Sequence, residues 1–199
     1  MKITRIWAMP NKWTFQIKPI KEIVDRYVGD GKGWIDPFAG MNSPAEFTND
    51  LNPEAKSKYH LEALDFVKML NGMEYKGCLF DPPYTLTQVS RSYKMLNKNY
   101  AERNKLDPTG GFPDVKNQIA KRIKSGGYII SFGYNSVGFG EKRGFDIVEI
   151  FLISHGGNRN DTIITIERKM NKTMADLHST ETHNRDYGFG SEPRPSGKL

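Results

Sequence analysis

An aspartate, two prolines and a tyrosine stand together at residues 81–84, directly after the apolar run "GCLF". The Asp81 carboxylate and the Pro82 carbonyl are hydrogen-bond acceptors, and Pro82 and Pro83 stiffen the turn so that both acceptors face one way. Tyr84 adds a flat aromatic face. This group suits a planar ligand that carries an exocyclic amino group. A tight turn without a ligand is the alternative, since aspartate and proline are common turn residues.

Two acceptors aimed at an amino group would also favour a particular reaction. They hold the amino hydrogens and leave the nitrogen lone pair facing an electrophile, while the carboxylate stabilises positive charge that develops on nitrogen. A strong base is then unnecessary. If the amino group belongs to a DNA base, the base must leave the stack to reach the pocket, and Tyr84 can replace part of the lost stacking.

Predicted helices and strands alternate along the chain around this motif. Apolar residues at helical spacing predict a helix over 17–28, and "GWIDPFAG" predicts a strand and a turn. A second strand, "AEFTNDLN", closes at Asp50, and Asn52 and Pro53 suit the start of a helix. A brief strand near "YHLEA" leads to Asp65, which suits the N-cap of the helix "FVKML", and "KGCLF" is the strand that enters the motif.

The second half of the chain continues the alternation and then departs from it. "DVKNQIAKRIKSGG" predicts a helix that stops at Gly126, followed by the strand "YIISFG". "FDIVEIFLIS" and "DTIITIER" are joined only by "HGGNRN", which is too short for a helical crossover and predicts an antiparallel hairpin. The sequence therefore predicts an α/β fold with a largely parallel sheet that ends in one reversed strand. Ligands bind at the carboxyl ends of such strands, where Asp36, Asp50, Asp65 and Asp81 would gather.

Composition limits the class of protein. A chain of 199 residues suits one domain, which we place at 1–169, with 170–199 as a flexible tail of few large apolar residues. The single cysteine, Cys78, excludes an internal disulfide and is expected in the core, and the histidines show no metal-binding spacing. No signal peptide or membrane-spanning run stands out, so a cytoplasmic protein is expected. A net charge of +6 favours an anionic partner such as nucleic acid.

The set "WIDPFAG", "NDLN", "ALDFVKML" and "CLFDPPY" resembles the amino-directed class of S-adenosylmethionine-dependent DNA methyltransferases, particularly small adenine methylases of phages and mobile elements. The resemblance runs through most of 10–170. It implies a Rossmann-like class I methyltransferase fold with a mainly parallel seven-stranded sheet, S-adenosylmethionine as cofactor, and methyl transfer to N6 of an adenine flipped out of duplex DNA. It also suggests a phage or restriction-modification setting in a bacterial or infected cell. Cytosine-N4 methylation, RNA or protein amino methylation, and a catalytically silent nucleic-acid-binding subunit remain the alternatives.

The resemblance also assigns roles to residues. Asp81, Pro82, Pro83 and Tyr84 match the pocket for the target amino group. Asp50 matches the acid that binds the ribose hydroxyls, and Asp65 the acid that accepts from the adenine amino group of the cofactor. The full set that the resemblance implies for the cofactor is Thr14, Phe15, Asp36, Pro37, Phe38, Ala39, Gly40, Asp50, Leu51, Asp65 and Phe66. Phe15 could equally pack in the core.

A segment at 85–112 follows the pocket and is the best candidate for an inserted target-recognition element. Basic and aromatic residues alternate in it, which suits phosphate contact and base stacking. The residues expected to contact DNA there are Arg91, Tyr93, Lys94, Lys98 and Arg103. Asn158 and Arg159 in the hairpin loop are further candidates. A solvated helix and a simple tight turn are the respective alternatives, and a homodimer is left open.

Overall fold

The computed structural model describes residues 1–97, 112–157 and 159–171. Seven strands form one sheet in the order β1-β6-β7-β5-β4-β2-β3. The strands are β1 Lys2–Trp7, β2 Trp34–Asp36, β3 Phe47–Thr48, β4 Tyr75–Phe80, β5 Ile123–Gly133, β6 Phe145–Ser154 and β7 Thr162–Lys169. The α-helices are α1 Lys18–Val28, α2 Ala63–Met69, α3 Leu86–Met95 and α4 Pro113–Arg122, and short 3-10 helices span Thr14–Gln16 and Glu141–Arg143.

Neighbouring strands are parallel except where β7 lies antiparallel to both β5 and β6. The predicted hairpin is confirmed: β6 and β7 pair from Phe145 opposite Lys169 to Ile153 opposite Thr162. The predicted Rossmann-like fold with a mainly parallel sheet is confirmed as well.

Helices cover both faces of the sheet, which is why its central strands are continuous apolar runs. On one face α1 buries Ile20, Ile23 and Val24 against a layer that includes Leu79 of β4. On the other face α2 and α4 pack over a layer that includes Cys78, which is fully buried as expected.

The close approach of two strands explains a glycine inside β4. Gly77 pairs with Trp34 of β2, and the ring of Trp34 lies over it. A Cβ atom at Gly77 would stand 2.5 Å from that ring, so any larger residue would overpack this part of the core.

The seventh strand is not the one that the sequence predicts. The prediction of a strand near "YHLEA" is wrong, because Tyr59 makes only a single parallel bridge with Asn49. The backbone N–H of Leu61 donates instead to the side chain of Asn49, which ends the ladder. The missing member is β1, an edge strand that pairs with β6 and whose pattern of exposed residues is too weak to predict.

Three predicted helix boundaries are also wrong. No helix starts at Asn52, because the chain must return to pair the Tyr59 N–H with the Thr48 carbonyl, and residues 53–58 leave room only for turns. Glu62, not Asp65, is the N-cap of α2. Finally, α4 ends at Arg122 rather than Gly126, because Lys169 of β7 donates to the carbonyls of Ala120 and Ile123 there.

The order of the strands creates a crevice at one place. From β2 the chain continues to β3 on one side, while β4 lies on the other side of β2. At such a reversal the connections leave in opposite directions, so a ligand can enter at the carboxyl ends of the two strands. Asp36 ends β2, and Asp81 follows β4.

Candidate active site

A cavity of about 380 Å³ lies at this reversal. Its volume falls within the roughly 300–1,000 Å³ of small-molecule sites. The residues that line it are Thr14, Pro37, Phe38, Asn49, Asp50, Leu51, Leu61, Glu62, Ala63, Asp81, Pro82, Pro83, Tyr84, Gln88, Val89, Ser92, Tyr93 and Phe112. All four residues of the predicted target pocket are therefore in one cavity with several of the predicted cofactor residues.

Asp81 is the acid at the β4 side of the cavity. Its Oδ1 atom accepts a short hydrogen bond from the Tyr84 hydroxyl. Removal from water raises the pKa of the Asp81 carboxyl, and hydrogen bonds from Tyr84 and Thr14 oppose that rise. Because a carboxylate has about four acceptor positions, Asp81 can accept a further N–H while these hydroxyls are bound.

Both the hydroxyl group and the ring of Tyr84 have partners in the fold. Its ring meets Tyr134, which follows β5, edge-on with the ring centroids 4.8 Å apart. Burial and the adjacent Asp81 carboxylate raise the pKa of the Tyr84 hydroxyl well above its ordinary value, so this group remains a donor. Tyr134 was not identified from the sequence, since only the fold brings the end of β5 next to the end of β4.

Asp36 does not line the cavity. Its side chain is fully buried beneath the loop, where Oδ1 accepts from the Phe38 N–H at 3.0 Å and Oδ2 accepts from the Ser43 hydroxyl at 2.6 Å. Ala39 and Gly40 also lie outside the lining, so Pro37 and Phe38 are the residues of this loop that line it. Asp36 shapes the loop rather than facing a ligand.

Asp50 lines the cavity as the sequence predicts, together with Leu51. Its Oδ2 atom accepts from the Gly40 N–H at 2.9 Å, and its Oδ1 atom accepts from the Asn52 N–H at 2.8 Å. These two bonds fix the carboxylate, and each oxygen keeps a lone pair that can accept a hydroxyl group.

Asn49, beside Asp50, is a functional candidate that the sequence did not reveal. Its side-chain amide donates to the carbonyls of Pro37 and Leu61 and accepts from the Leu61 N–H, at 2.9 to 3.1 Å. The residue is 1% exposed. One amide thus ties together the loops that follow β2 and β3 and the start of α2.

Two predicted cofactor residues on α2 lie elsewhere. Asp65 is exposed in the first turn of α2, and Phe66 is fully buried in the core against Tyr59. In their place Glu62 lines the cavity, where its Oε2 atom accepts from the Tyr93 hydroxyl at 2.6 Å. Phe15 likewise packs on Phe132 of β5, whereas its neighbour Thr14 reaches the cavity.

The predicted DNA contacts are divided among several places. Arg91 and Lys94 are exposed on α3, but Tyr93 of the same helix is buried and faces the cavity. Arg159 is exposed in the loop between β6 and β7. Lys98, Arg103 and Asn158 lie outside the described residues, as does the tail from residue 172 onward.

Within 1–97, 112–157 and 159–171, no three histidine, cysteine, aspartate or glutamate side chains are grouped to hold a metal ion. No helix in the same ranges has the length and apolar content needed to cross a membrane.

Comparison of the sequence with protein-family models and with curated proteins gives no match. Solved structures do match the fold. The 1,6-didemethyltoxoflavin-N1-methyltransferase of Burkholderia thailandensis, solved with bound 1,6-didemethyltoxoflavin and S-adenosylhomocysteine, aligns with a TM-score of 0.50 and 12% identity, over 77% of this chain and 78% of that chain. TrmN from Thermus thermophilus aligns with a TM-score of 0.48 and 12% identity over 76% of this chain. N-methyltransferase NodS from Bradyrhizobium japonicum aligns with 0.47 and 9% identity, over 76% and 94% of the two chains.

This chain spans 49% of the length of the TrmN chain. At these identities the alignments establish the fold. The chain has the Rossmann-like fold of class I methyltransferases, with the sheet reversal and the cavity at the place where ligands enter such folds.

Proposed function

We propose that this protein is an S-adenosylmethionine-dependent DNA methyltransferase that modifies the N6 amino group of adenine. The observation that carries the proposal is the shared cavity at the reversal of strand order, which Asp81 and Pro82 line together with the acids Asp50 and Glu62. Two sets of acceptors in one cavity suit two ligands, one of which carries hydroxyl groups and the other an amino group.

The residues around Asp50 suit S-adenosylmethionine. The carboxylate of Asp50 would accept the ribose hydroxyls, Glu62 would accept from the adenine amino group, and Phe38 and Leu51 offer apolar surface for the ring. The same cofactor is supported by the fold, because the toxoflavin methyltransferase of the same fold was solved with S-adenosylhomocysteine. When bound, S-adenosylmethionine supplies an electrophilic methyl group, and direct transfer to nitrogen inverts the methyl carbon.

The residues of the 81–84 turn would hold the target. Asp81 and the Pro82 carbonyl accept the two amino hydrogens, which turns the nitrogen lone pair toward the methyl group, and the Asp81 carboxylate stabilises the positive charge that nitrogen gains. Thr14 and Tyr84 keep this carboxylate in place by hydrogen bonds. An adenine in duplex DNA reaches such a turn only after leaving the stack, and the aromatic ring of Tyr84 compensates for part of that cost.

The proposal is tested by mass spectrometry of nucleosides from plasmid DNA passaged with the protein in a host that lacks DNA methylases. We expect N6-methyladenine with the wild type and none with Asp81→Ala. Glu141→Ala is the matched control, since it removes an exposed carboxylate beyond the opposite edge of the sheet and should leave the product unchanged.

Other products would change the conclusion in defined ways. Detection of N4-methylcytosine would leave the assignment of the pocket unchanged and make cytosine the target base. Absence of both products, with calorimetric binding of S-adenosylmethionine intact, would reject DNA as the substrate and direct the search to RNA or protein amino groups.

A further inference from the structure

Gln88 is a cavity residue that neither the motif nor the proposed mechanism uses. It occupies the first turn of α3, four residues after Tyr84. Its Oε1 atom accepts from the backbone N–H of Tyr84 at 2.6 Å and from that of Thr85 at 3.2 Å. Its own backbone N–H donates to the Thr85 hydroxyl at 3.2 Å, which completes a capping box.

These bonds orient the side-chain amide. Because Oε1 faces two backbone donors, the amide cannot turn over without opposing donor to donor. The Nε2 atom has no hydrogen-bond partner in the parts of the chain that the structure describes. Because Gln88 lines the cavity and its Oε1 atom is engaged by backbone N–H groups, the group it has left to offer a ligand there is the Nε2 N–H donor.

We propose that Gln88 is a specificity-determining residue whose amide donates a hydrogen bond to the ring nitrogen N1 of the flipped adenine, the acceptor adjacent to the N6 amino group. This inference rests on the proposed function. Acceptors from the 81–84 turn and a donor from Gln88 together complement the amino and ring-nitrogen pair on the Watson–Crick edge that flipping exposes.

The same pattern rejects other bases. Guanine and thymine present a carbonyl oxygen beside a ring N–H at the corresponding positions, which would oppose acceptor to acceptor and donor to donor. Cytosine presents an amino group beside the acceptor N3, as adenine does. Gln88 therefore selects bases that carry an amino group next to a ring acceptor. Adenine and cytosine both meet this condition, so the size of the cavity must distinguish them.

A purely structural role as a helix cap predicts different behaviour of one variant. Gln88→Glu keeps an acceptor for the Tyr84 and Thr85 N–H groups, since glutamate is equally suited to this position of a capping box. It removes the two N–H donors and adds one negative charge. Thr87→Glu is the matched control, because it adds the same charge one residue earlier on the exposed side of α3, outside the cavity lining.

The first arm measures initial rates of N6-methyladenine formation. We expect Gln88→Glu to lose at least about tenfold in kcat/KM, while Thr87→Glu stays within about twofold of wild type and both variants keep the wild-type melting temperature. Equal rates for Gln88→Glu and wild type would overturn the inference while leaving the proposed function intact.

The second arm needs no variant and so does not depend on how the variants fold. An oligonucleotide that carries the site mapped from the wild-type product is made with adenine, 1-deazaadenine or 7-deazaadenine at the target position. We expect the wild type to bind and methylate the 1-deaza strand at least about tenfold less well than the adenine strand. A wild type that treats 1-deazaadenine as adenine would overturn the inference, and loss with 7-deazaadenine alone would do so too, because the contact would then be to N7.

The two failures are distinguishable. If the wild type forms no methylated base in any DNA, the proposed function fails. If it methylates adenine without regard to N1, only the role of Gln88 fails.

Discussion

Asp36 differs from the other acids of the site because it is fully enclosed by protein. Burial raises the pKa of its carboxyl from an ordinary 3.8 to about 7; the charges of Asp81 and Asp50 add to the rise, and the bonds from Ser43 and Phe38 oppose it. Its role is to hold the loop after β2 in shape, and for this the neutral form is sufficient.

This environment predicts an effect of pH on stability. Between about pH 4 and pH 7 the folded protein keeps a proton on Asp36 that the unfolded chain has lost, so the contribution of Asp36 to stability falls as pH rises through this window and is constant above it. Asp36→Asn keeps an acceptor for Phe38 and should remove this contribution. Urea unfolding of both proteins at several pH values should show the wild type losing stability relative to the variant by at most about 1.4 kcal/mol per pH unit. Parallel profiles would show that Asp36 ionises normally.

A second prediction concerns the two acids near the start of α2. Glu62 faces the cavity, whereas Asp65, the acid that the family resemblance favours, is exposed outside the lining. We expect Glu62→Ala to weaken S-adenosylmethionine binding by about 1.5–3 kcal/mol, the range for hydrogen bonds to charged groups, and Asp65→Ala to leave it nearly unchanged. Calorimetric titration measures both. The reverse order of effects would return the role to Asp65.

At the scale of elements, the cavity depends on loops that are hydrogen-bonded to one another. Asn49 links the loops after β2 and β3 to the start of α2 through its single buried amide. Asp50 adds a second link, since it accepts from the Gly40 N–H. The conformation of each loop therefore depends on its hydrogen bonds to the others.

Replacing Asn49 by aspartate should separate these loops. The variant keeps the acceptor for the Leu61 N–H but loses the donors to the carbonyls of Pro37 and Leu61, and each carbonyl left unpaired costs about 1–3 kcal/mol. Asn52→Asp is the matched control, because the Asn52 side chain acts there as an acceptor for Glu54. Chemical denaturation and S-adenosylmethionine titration should both detect Asn49→Asp and not the control. A stable Asn49→Asp protein with normal binding would contradict this role.

The segment that leads from Tyr134 to β6 is fastened by Glu167 of β7. This buried carboxylate accepts from the N–H groups of Phe139 and Gly140 at 2.7 to 3.0 Å. Gly138 has φ +58° and approaches it so closely that a Cβ atom would stand 2.4 Å from the Glu167 carboxylate.

Gly138→Ala should therefore destabilise the protein more than Gly144→Ala does. Both positions have positive φ, for which an alanine costs about 1–2 kcal/mol, but nothing lies within 4 Å of a Cβ at Gly144. The difference between the two variants in thermal unfolding isolates the contact with Glu167. Equal losses would mean that backbone strain alone requires these glycines.

At the scale of the whole molecule, exposed positive charge lies at two places on the carboxyl edge of the sheet. Arg91 and Lys94 flank the wall that α3 contributes, and Arg159 stands in the loop after β6. Both places belong to the carboxyl edge of the sheet, and the protein as a whole carries a charge of +6. This distribution suits a polyanion that lies across the mouth of the cavity.

Neutralising Arg91, Lys94 and Arg159 together should weaken DNA binding and flatten its dependence on salt. Each lost phosphate contact lowers the slope of log K against log salt concentration by about 0.9. Lys121→Ala with Lys142→Ala is the control, since these exposed lysines lie toward the opposite edge of the sheet. Fluorescence anisotropy over a range of salt concentrations measures the slopes. Equal slopes for the triple variant and the control would show that DNA binds to a different surface of the protein.

Local patterns in the sequence predicted most elements of the fold. The spacing in α1, the apolar runs of β4 and β5 and the short link of the hairpin each specify an element by themselves, because helical periodicity and loop length are local properties. The same holds for the turn at 81–84, whose prolines and acid lie next to one another in the chain. The elements that the sequence did not specify are those held by a distant partner, namely β1 by β6 and the end of α4 by Lys169.

The tertiary structure alone decided which side chains face the cavity. Acids at strand ends are visible in the sequence, but whether an acid is turned toward a ligand, as Asp50 is, or buried beneath a loop, as Asp36 is, depends on packing between segments far apart in the chain. The sequence assigned no role to Asn49, Glu62 or Gln88, and they enter the site because the loop after β3, the start of α2 and the start of α3 meet at the reversal of strand order. The sequence by itself thus determined the chemistry available, and the fold determined where each group is presented.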